Sequence, residues 1–581
     1  MQKLKSRKLF AVALAIALTL SLGATAFAAW PSFQNDSNND GYINNGTPPI
    51  TQPTNTSTIG LATNDPIGSV YSGVSSASVM DGDKVYTVYN SGVLNTATGV
   101  GGARLAITDI TSGGVTYLPL DDYEADNVQQ LSTPYLDTST DTLYALTGYY
   151  HDALNSGGGI SGWTNANGTP ITSFNFPAGT TTIYYRNMYL GTFSQNPWGG
   201  YYELQLATDI TNAGAATGSV SLTPSAGGAA INFGTSTYWS GPWTLFNQTG
   251  AFVPTAPQGT MYDLAVTITV PAGAATLSAT DVHFLGSMWR LHIVDNVSSS
   301  NPQVSTVEKG YGQPNTPISF DGNSIYFGIY EGDRCYYQYT RGTSTTGSVL
   351  TWFIPQGGDD FYGAGAYCEK EYVYFGGDSS RLYKREIANF DTQGTVLNLS
   401  NVQAAAGRVR STIAADGTHL FFTSVGTGAQ GRLWKVNPVS LTSAAAPIVL
   451  PNNSTSTPAI SANGYLYVGY HNLATWPGTG GVVAVNKTTF TGTPITIYSG
   501  DPVQSSPIVY TSGNWNYVYF TTNSATGAGY CYRHNTAGTQ AVQAVWNAVG
   551  TSSNPYALQG FSSDRGYLVY GDDGNNLYIM R

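Results

Sequence analysis

The chain has 581 residues and carries 23 Lys and Arg against 34 Asp and Glu, a net charge of −11. That balance excludes a surface built to meet phosphates, which needs a basic face. Charged residues are only 10% of the chain, against about 25% in an ordinary soluble domain, so disorder driven by charge is excluded as well. Aromatics at 13% supply a core, and 68 Gly with 41 Tyr point to β strands joined by tight turns.

Residues 1–28 read as a secretory leader. Lys3, Lys5, Arg7 and Lys8 form a basic start, Phe10 to Leu22 an apolar run, and Ala26-Phe27-Ala28 a small-x-small cleavage site. The mature chain is expected to begin at Ala29. Without those four cations, 19 basic residues stand against 34 acidic ones, a net charge of −15. The apolar run is short for a span of ~20 residues, and no later stretch is apolar enough to cross a bilayer. No mature transmembrane segment is expected, and the protein is expected outside the cytoplasmic membrane.

Next in chain order comes Asp36-Ser37-Asn38-Asn39-Asp40-Gly41-Tyr42-Ile43-Asn44. It fits the first half of a D-x-[DN]-x-[DN]-G calcium loop. Side-chain oxygens of Asp36, Asn38 and Asp40 can converge on a hard cation, Gly41 allows the sharp turn, and the Tyr42 carbonyl and Asn44 complete the candidate set. Position twelve is Thr47 rather than a bidentate Glu. A structural Ca2+ that pins the N-terminal arm is one expectation, and an Asn/Asp-rich turn without metal is the other. No further cofactor is expected.

From residue 76 onward the chain repeats itself with a period near 48. The units start at Ser76, Ser132, Asn315, Gly365, Arg410, Ser456, Ser505 and Tyr556. Each has a short apolar strand, a polar turn, then a strand whose aromatic recurs at Tyr86, Tyr144, Tyr326, Tyr374, Phe421, Tyr467 and Tyr519, with Val569 in the eighth. A third strand follows, for example Arg381-Leu-Tyr-Lys and Arg432-Leu-Trp-Lys-Val. Short alternating strands in units of 40–50 residues predict an all-β fold, an eight-bladed β-propeller, with seven blades as the alternative. The eighth unit lacks a fourth strand before Arg581, and Thr58-Ile-Gly-Leu-Ala-Thr is expected to supply it.

Tyr144 to Tyr326 is one gap of 182 residues. It predicts an insertion over residues 151–283, between the second and third strands of the second blade, folded as a β-sandwich. The predicted organisation is leader 1–28, arm and ring-closing strand 29–66, first propeller part 67–150, insertion 151–283 and remaining propeller 284–581. Aromatics crowd the insertion. Trp163, Trp198, Tyr238, Trp239 and Trp243 are candidate platforms for stacking on sugar rings, while sandwich core is the other reading of the same residues.

The S/T-P-x-I units and the Y-[VF]-G strands resemble PQQ-like, quinoprotein-type propeller repeats. Ala29-Trp-Pro-Ser-Phe-Gln-Asn-Asp resembles the W-P-x-F-x-x-D opening of secreted bacterial members. The resemblance implies a propeller. Enzymatic quinoprotein dehydrogenases carry a vicinal Cys-Cys pair, which is not present here, so no catalytic residue is carried over. Cys335, Cys368 and Cys531 have no metal or haem spacing and read as core thiols. Asp81, Asp321, Asp416 and Asp564 recur as turn formers, and Asp359-Asp360 and Asp572-Asp573 read as solvated loops. His151, His283, His292, His419, His471 and His534 form no motif. The expected function is that of a secreted, non-catalytic cell-surface protein with a structural or binding role, a self-assembling surface-layer or filament subunit being one form of it. The alternatives are a polysaccharide-binding adhesin and a PQQ-dependent dehydrogenase.

Overall fold

The computed structural model describes residues 32–581 apart from 35–37, 55, 63–71, 75, 93–101, 121–129, 155–158, 191–199, 209–215, 238–250, 254–256, 258, 275, 311, 331–332, 344–345, 357, 427–429, 474–477, 525–527, 539–540, 550–556 and 558. The expected leader, Asp36, Trp198, Tyr238, Trp239 and Trp243 lie outside the described residues. Among those described, regular structure is strand throughout, with one 3-10 turn at Leu399–Asn401. No described helix is long and apolar enough to cross a membrane.

Eight antiparallel sheets follow one another along the chain, among the described residues. The sixth is typical. Ala459–Ile460 lies innermost, followed outward by Tyr465–Asn472, Thr479–Asn486 and Ile495–Gly500. The recurring aromatic holds one register position throughout, opposite the inner strand: Val79 faces Tyr86, Tyr367 faces Tyr374, Ala459 faces Tyr467 and Ile508 faces Tyr519. These rings are buried. A side-chain period of two places the same residue of every repeat on the same sheet face. The last sheet takes its outermost strand from the N-terminal side, where Thr56–Gly60 pairs antiparallel with Asn576–Met580.

Hydrogen bonds run from each sheet to the next and close on themselves. Ala77 N donates to Thr133 Oγ1, Ile318 N to the Thr133 carbonyl, Ser319 Oγ to the Ala366 carbonyl, and Ile413 N to the Gly365 carbonyl. Thr412 N donates to Thr457 Oγ1, Thr457 N to Ser506 Oγ, and Thr521 Oγ1 to the Gln559 carbonyl. Ser562 Oγ then donates to the Ser78 carbonyl of the first sheet. The S/T-P pattern has its physical reason here. The hydroxyls of Thr133, Thr457 and Ser506 accept a neighbouring sheet's backbone N–H, and the following proline opens the inner strand where no N–H is needed. A closed succession of four-stranded antiparallel sheets is the architecture of a β-propeller.

The second sheet departs from the pattern. Its third strand, Leu277–Asp295, pairs with Thr142–Asp152 over one half and with Gly200–Thr208 over the other. A separate five-stranded sheet, ordered Trp163–Thr164, Gly179–Tyr189, Met261–Val270, Thr217–Pro224 and Ile231–Thr237, shares a hydrophobic cluster with this extension. Phe176, Leu204, Leu222, Val266, Val282 and Phe284 are in that cluster. No break in the strand marks the boundary expected at 283.

Several site expectations are corrected. Trp163 is 1% exposed, edge-on to Phe174 and Tyr185 in that cluster, so it is core and not a stacking platform. Asp359 and Asp572 are buried rather than solvated. Asp359 accepts from Ser379 N and Tyr383 Oη, and Asp572 from Asn576 N and Tyr578 Oη. Their hydrogen bonds replace the water they give up. Asp321 and Asp416 do close turns, accepting the N–H groups of Asn323 and Ser324 and of Thr418 and His419. Asp564 does more. Its Oδ2 accepts from Gly82 N of the first sheet and its Oδ1 from Asn45 Nδ2 of the arm. All three cysteines are buried free thiols.

Candidate functional site

An inner strand leaves one row of N–H and C=O groups unpaired toward the channel that the sheets surround. The N-terminal arm meets that row. Ala415 N donates to the Asn38 carbonyl and Ile460 N to the Asp40 carbonyl. Val509 N donates to the Gly41 carbonyl, and Ile43 N donates back to Val509. Asn39 Nδ2 donates to the carbonyls of Ala366 and Ile413, and Asn45 Nδ2 to that of Ser563. Five successive sheets are thus tied to six arm residues. The arm then turns outward, and the Pro49 carbonyl accepts from Tyr519 Oη and Trp546 Nε1.

This fixes where the candidate calcium residues lie. Asn38 and Asp40 spend their carbonyls on the inner strands of the fifth and sixth sheets. Asp40 Oδ1 accepts from Tyr42 N within its own turn. Tyr42 bridges to Val509, and Asn44 follows it along the arm. Asp36 lies outside the described residues. Groups of three or more His, Cys, Asp or Glu placed to hold a metal are absent among the described residues.

Beside the arm lies a cavity of 180 Å3 at the mouth of the channel. Phe33 of the arm borders it. The segments that enter the inner strands supply the wall: Thr133, Thr412, Thr457 and Ser506 hold the same place in four repeats, and Asn315 and Gln559 join them from two further sheets. The fourth sheet adds Tyr362 and the fifth Arg410. Six of the lining side chains, Asn315, Tyr362, Arg410, Thr455, Gln504 and Gln559, keep part of their surface open, and the others are deeper.

Arg410 is the single charged residue of this lining, among the described residues. Its Nε and Nη2 form a fork on Asp378 at 2.9 and 2.5 Å. Burial pulls the guanidinium pKa down, but the bonds to Asp378 outweigh it and the net shift is upward. The cation is therefore permanent and already balanced. Its plane lies 4.7 Å from the centre of the Tyr362 ring, which meets Tyr330 edge-on at 5.2 Å. Tyr362 is 37% exposed and borders the cavity. Among the described residues, no carboxylate, imidazole, amine or thiol is in the lining. What it offers is hydroxyls, carboxamides, one aromatic face and one neutralised fork.

Sequence reading did not single out this mouth. Its signal was present in the Ser-Thr-Pro and Ser-Ser-Pro tripeptides, whose hydroxyls recur at fixed places, but the same residues also read as ordinary turns.

No protein-family model matches the chain, and no curated protein matches it. Among solved structures it is similar to BamB from Moraxella catarrhalis, at 13% identity and a TM-score of 0.33, over 50% of this chain and 78% of that one. It is also similar to a chain of the mitotic checkpoint complex, at 12% identity and a TM-score of 0.34, over 50% of this chain and 81% of that one. The propeller architecture stands on the chain's own strand order and register.

Proposed function

We propose that this chain is a secreted, non-catalytic cell-surface protein whose copies assemble through the rim of the propeller. In this reading the eight sheets are eight blades, and the two-layered insertion is a β-sandwich carried by the second blade. The leader at 1–28 supports export. The observation that carries assembly is the outer strand of the third sheet, Val349–Phe353, which stands at the sheet's edge. Val349, Trp352 and Ile354 there are 56%, 51% and 61% exposed. No charged residue occurs between Arg341 and Asp359. Natural edge strands are usually defended by lysines, prolines or bulges, because an apolar, uncharged edge accepts another strand. An identical strand running antiparallel meets no charge repulsion at this edge and can form an isologous contact. The channel mouth, with hydroxyls and carboxamides but no carboxylate, imidazole, amine or thiol among its described lining residues, supports a role in holding a ligand.

The test is sedimentation velocity and negative-stain microscopy of the mature chain beside Trp352→Lys. The wild type is expected to form dimers or ordered arrays, and the lysine variant single particles of unchanged stability. A wild type that stays monomeric at high concentration would remove the assembly reading.

A further inference from the structure

We propose that the channel mouth is a binding site for one neutral pyranose unit, such as the terminal residue of a glycan. The site is separate from the rim, and the proposal does not rest on self-assembly.

Three features select this chemistry. The half-open groups Asn315, Thr455, Gln504 and Gln559 stand around the opening, each on a different sheet. Such groups both donate and accept, which is what vicinal hydroxyls require. The Tyr362 ring, part-exposed at the cavity, offers apolar surface to the C–H face of a sugar ring, and its edge contact with Tyr330 and the Arg410 guanidinium over it hold it in one orientation. Finally, Asp378, which also faces Arg408, already occupies two nitrogens of Arg410, which weakens the pull of that guanidinium on a carboxylate or phosphate. The third nitrogen, Nη1, stays outside that fork and can serve a hydroxyl oxygen. A cavity of 180 Å3 suits a single ring and leaves the rest of a glycan outside.

The polar wall is also pre-organised. Thr457 Oγ1 and Ser506 Oγ are already fixed by the N–H groups of Thr412 and Thr457. Gln504 Oε1 accepts from Asn523 Nδ2, which orients its amide. A small ligand therefore meets groups already in place, and little ordering cost opposes weak contacts.

The experiment is isothermal titration of the mature chain with methyl glycosides of glucose, galactose, mannose and N-acetylglucosamine, beside glucuronic acid and pyrroloquinoline quinone. The expected result is millimolar binding of at least one neutral glycoside, weakened ~tenfold or more in both Tyr362→Ala and Gln504→Leu, with both variants still folded by circular dichroism. Trp352→Lys is expected to bind as the wild type does, which separates this site from the assembly surface. The proposal is overturned by the absence of neutral glycoside binding, by binding that survives both mouth substitutions, or by preference for glucuronic acid or the quinone.

Discussion

Asn39→Ala tests the arm's place in the ring. Asn39 is buried, and its amide donates to the Ala366 carbonyl at 2.8 Å and the Ile413 carbonyl at 3.0 Å. Its φ is +51°, a conformation in which Asn is among the better-tolerated residues. Alanine removes two bonds worth ~1 kcal/mol each and leaves two buried carbonyls without that donor. It also meets a left-handed penalty of ~1–2 kcal/mol, part of which Asn already bears. The expected loss is about 3 kcal/mol. Asn39→Gly relieves the backbone but not the bonds, and should lose roughly 1 kcal/mol less. Fluorescence-monitored urea unfolding of the three proteins measures both numbers, and limited proteolysis reports whether the arm is released first. If Asn39→Ala shifts stability by less than ~0.5 kcal/mol and the arm resists protease as before, the arm does not tie the inner strands together.

Three further outcomes follow from the same structure. Trp163→Ala should destabilise the insertion by ~3–5 kcal/mol in thermal unfolding, whereas Trp163→Phe should cost far less, because the buried indole N–H has no partner among the described residues. Burial raises Asp564 from 3.8 to about 6, and burial with Asp572 beside it raises Asp573 to about 7, while burial lowers His471 and His534 from 6.5 to about 4. As pH rises from 3.8, the folded carboxyls hold protons that the unfolded chain releases, so their contribution falls through pH 6 and 7. As pH falls below 6.5, the unfolded histidines take up protons that the folded ones refuse, so theirs falls as well. The two trends oppose each other between roughly pH 4 and 6.5, and Asp564→Asn should tilt the urea-midpoint profile there by up to ~1.4 kcal/mol per pH unit toward higher stability at higher pH; a profile with unchanged slope would refute this. Because main-chain bonds at Asn38, Asp40 and Gly41 already hold the arm, EDTA is expected to leave the thermal midpoint in place; a rise on adding Ca2+ that Asp36→Ala abolishes would instead support the calcium loop.

The repeating strands were legible because their signals are local. A turn of Asp or Gly lies between two short alternating strands, and one aromatic per repeat meets its partner a few residues away, as Tyr374 meets Tyr367. The long spacing from Tyr144 to Tyr326 marked the stretch in which the separate five-stranded sheet lies. Trp163 was not, because whether a tryptophan stacks on a ligand or on Phe174 and Tyr185 depends on a fold contact and not on its neighbours in sequence. The buried acids were misread for the same reason. Asp359 looks like a loop carboxylate until Ser379 and Tyr383 arrive from the next strands to satisfy it.

The mouth and the arm share one physical logic, which explains why neither is visible in a linear pattern. Each is made of one or two residues per sheet, so its density exists only when the ring is closed. The arm's partners lie hundreds of positions away, as with Asn39 and Ala366 or Asn45 and Asp564. Inner strands must present backbone groups to the channel, and something must satisfy them. On the fifth to seventh sheets the arm does so with its own backbone. Beyond the arm, hydroxyl and amide side chains border the cavity instead. Closing the ring therefore leaves a small chamber that Phe33 of the arm borders, with hydroxyls, carboxamides and the Asp378-paired Arg410 in its wall and Tyr362 at its lip. A substitution that loosens the arm, such as Asn39→Ala, should consequently weaken glycoside binding at the mouth without touching any residue that meets the sugar, because Phe33 borders the cavity from the arm.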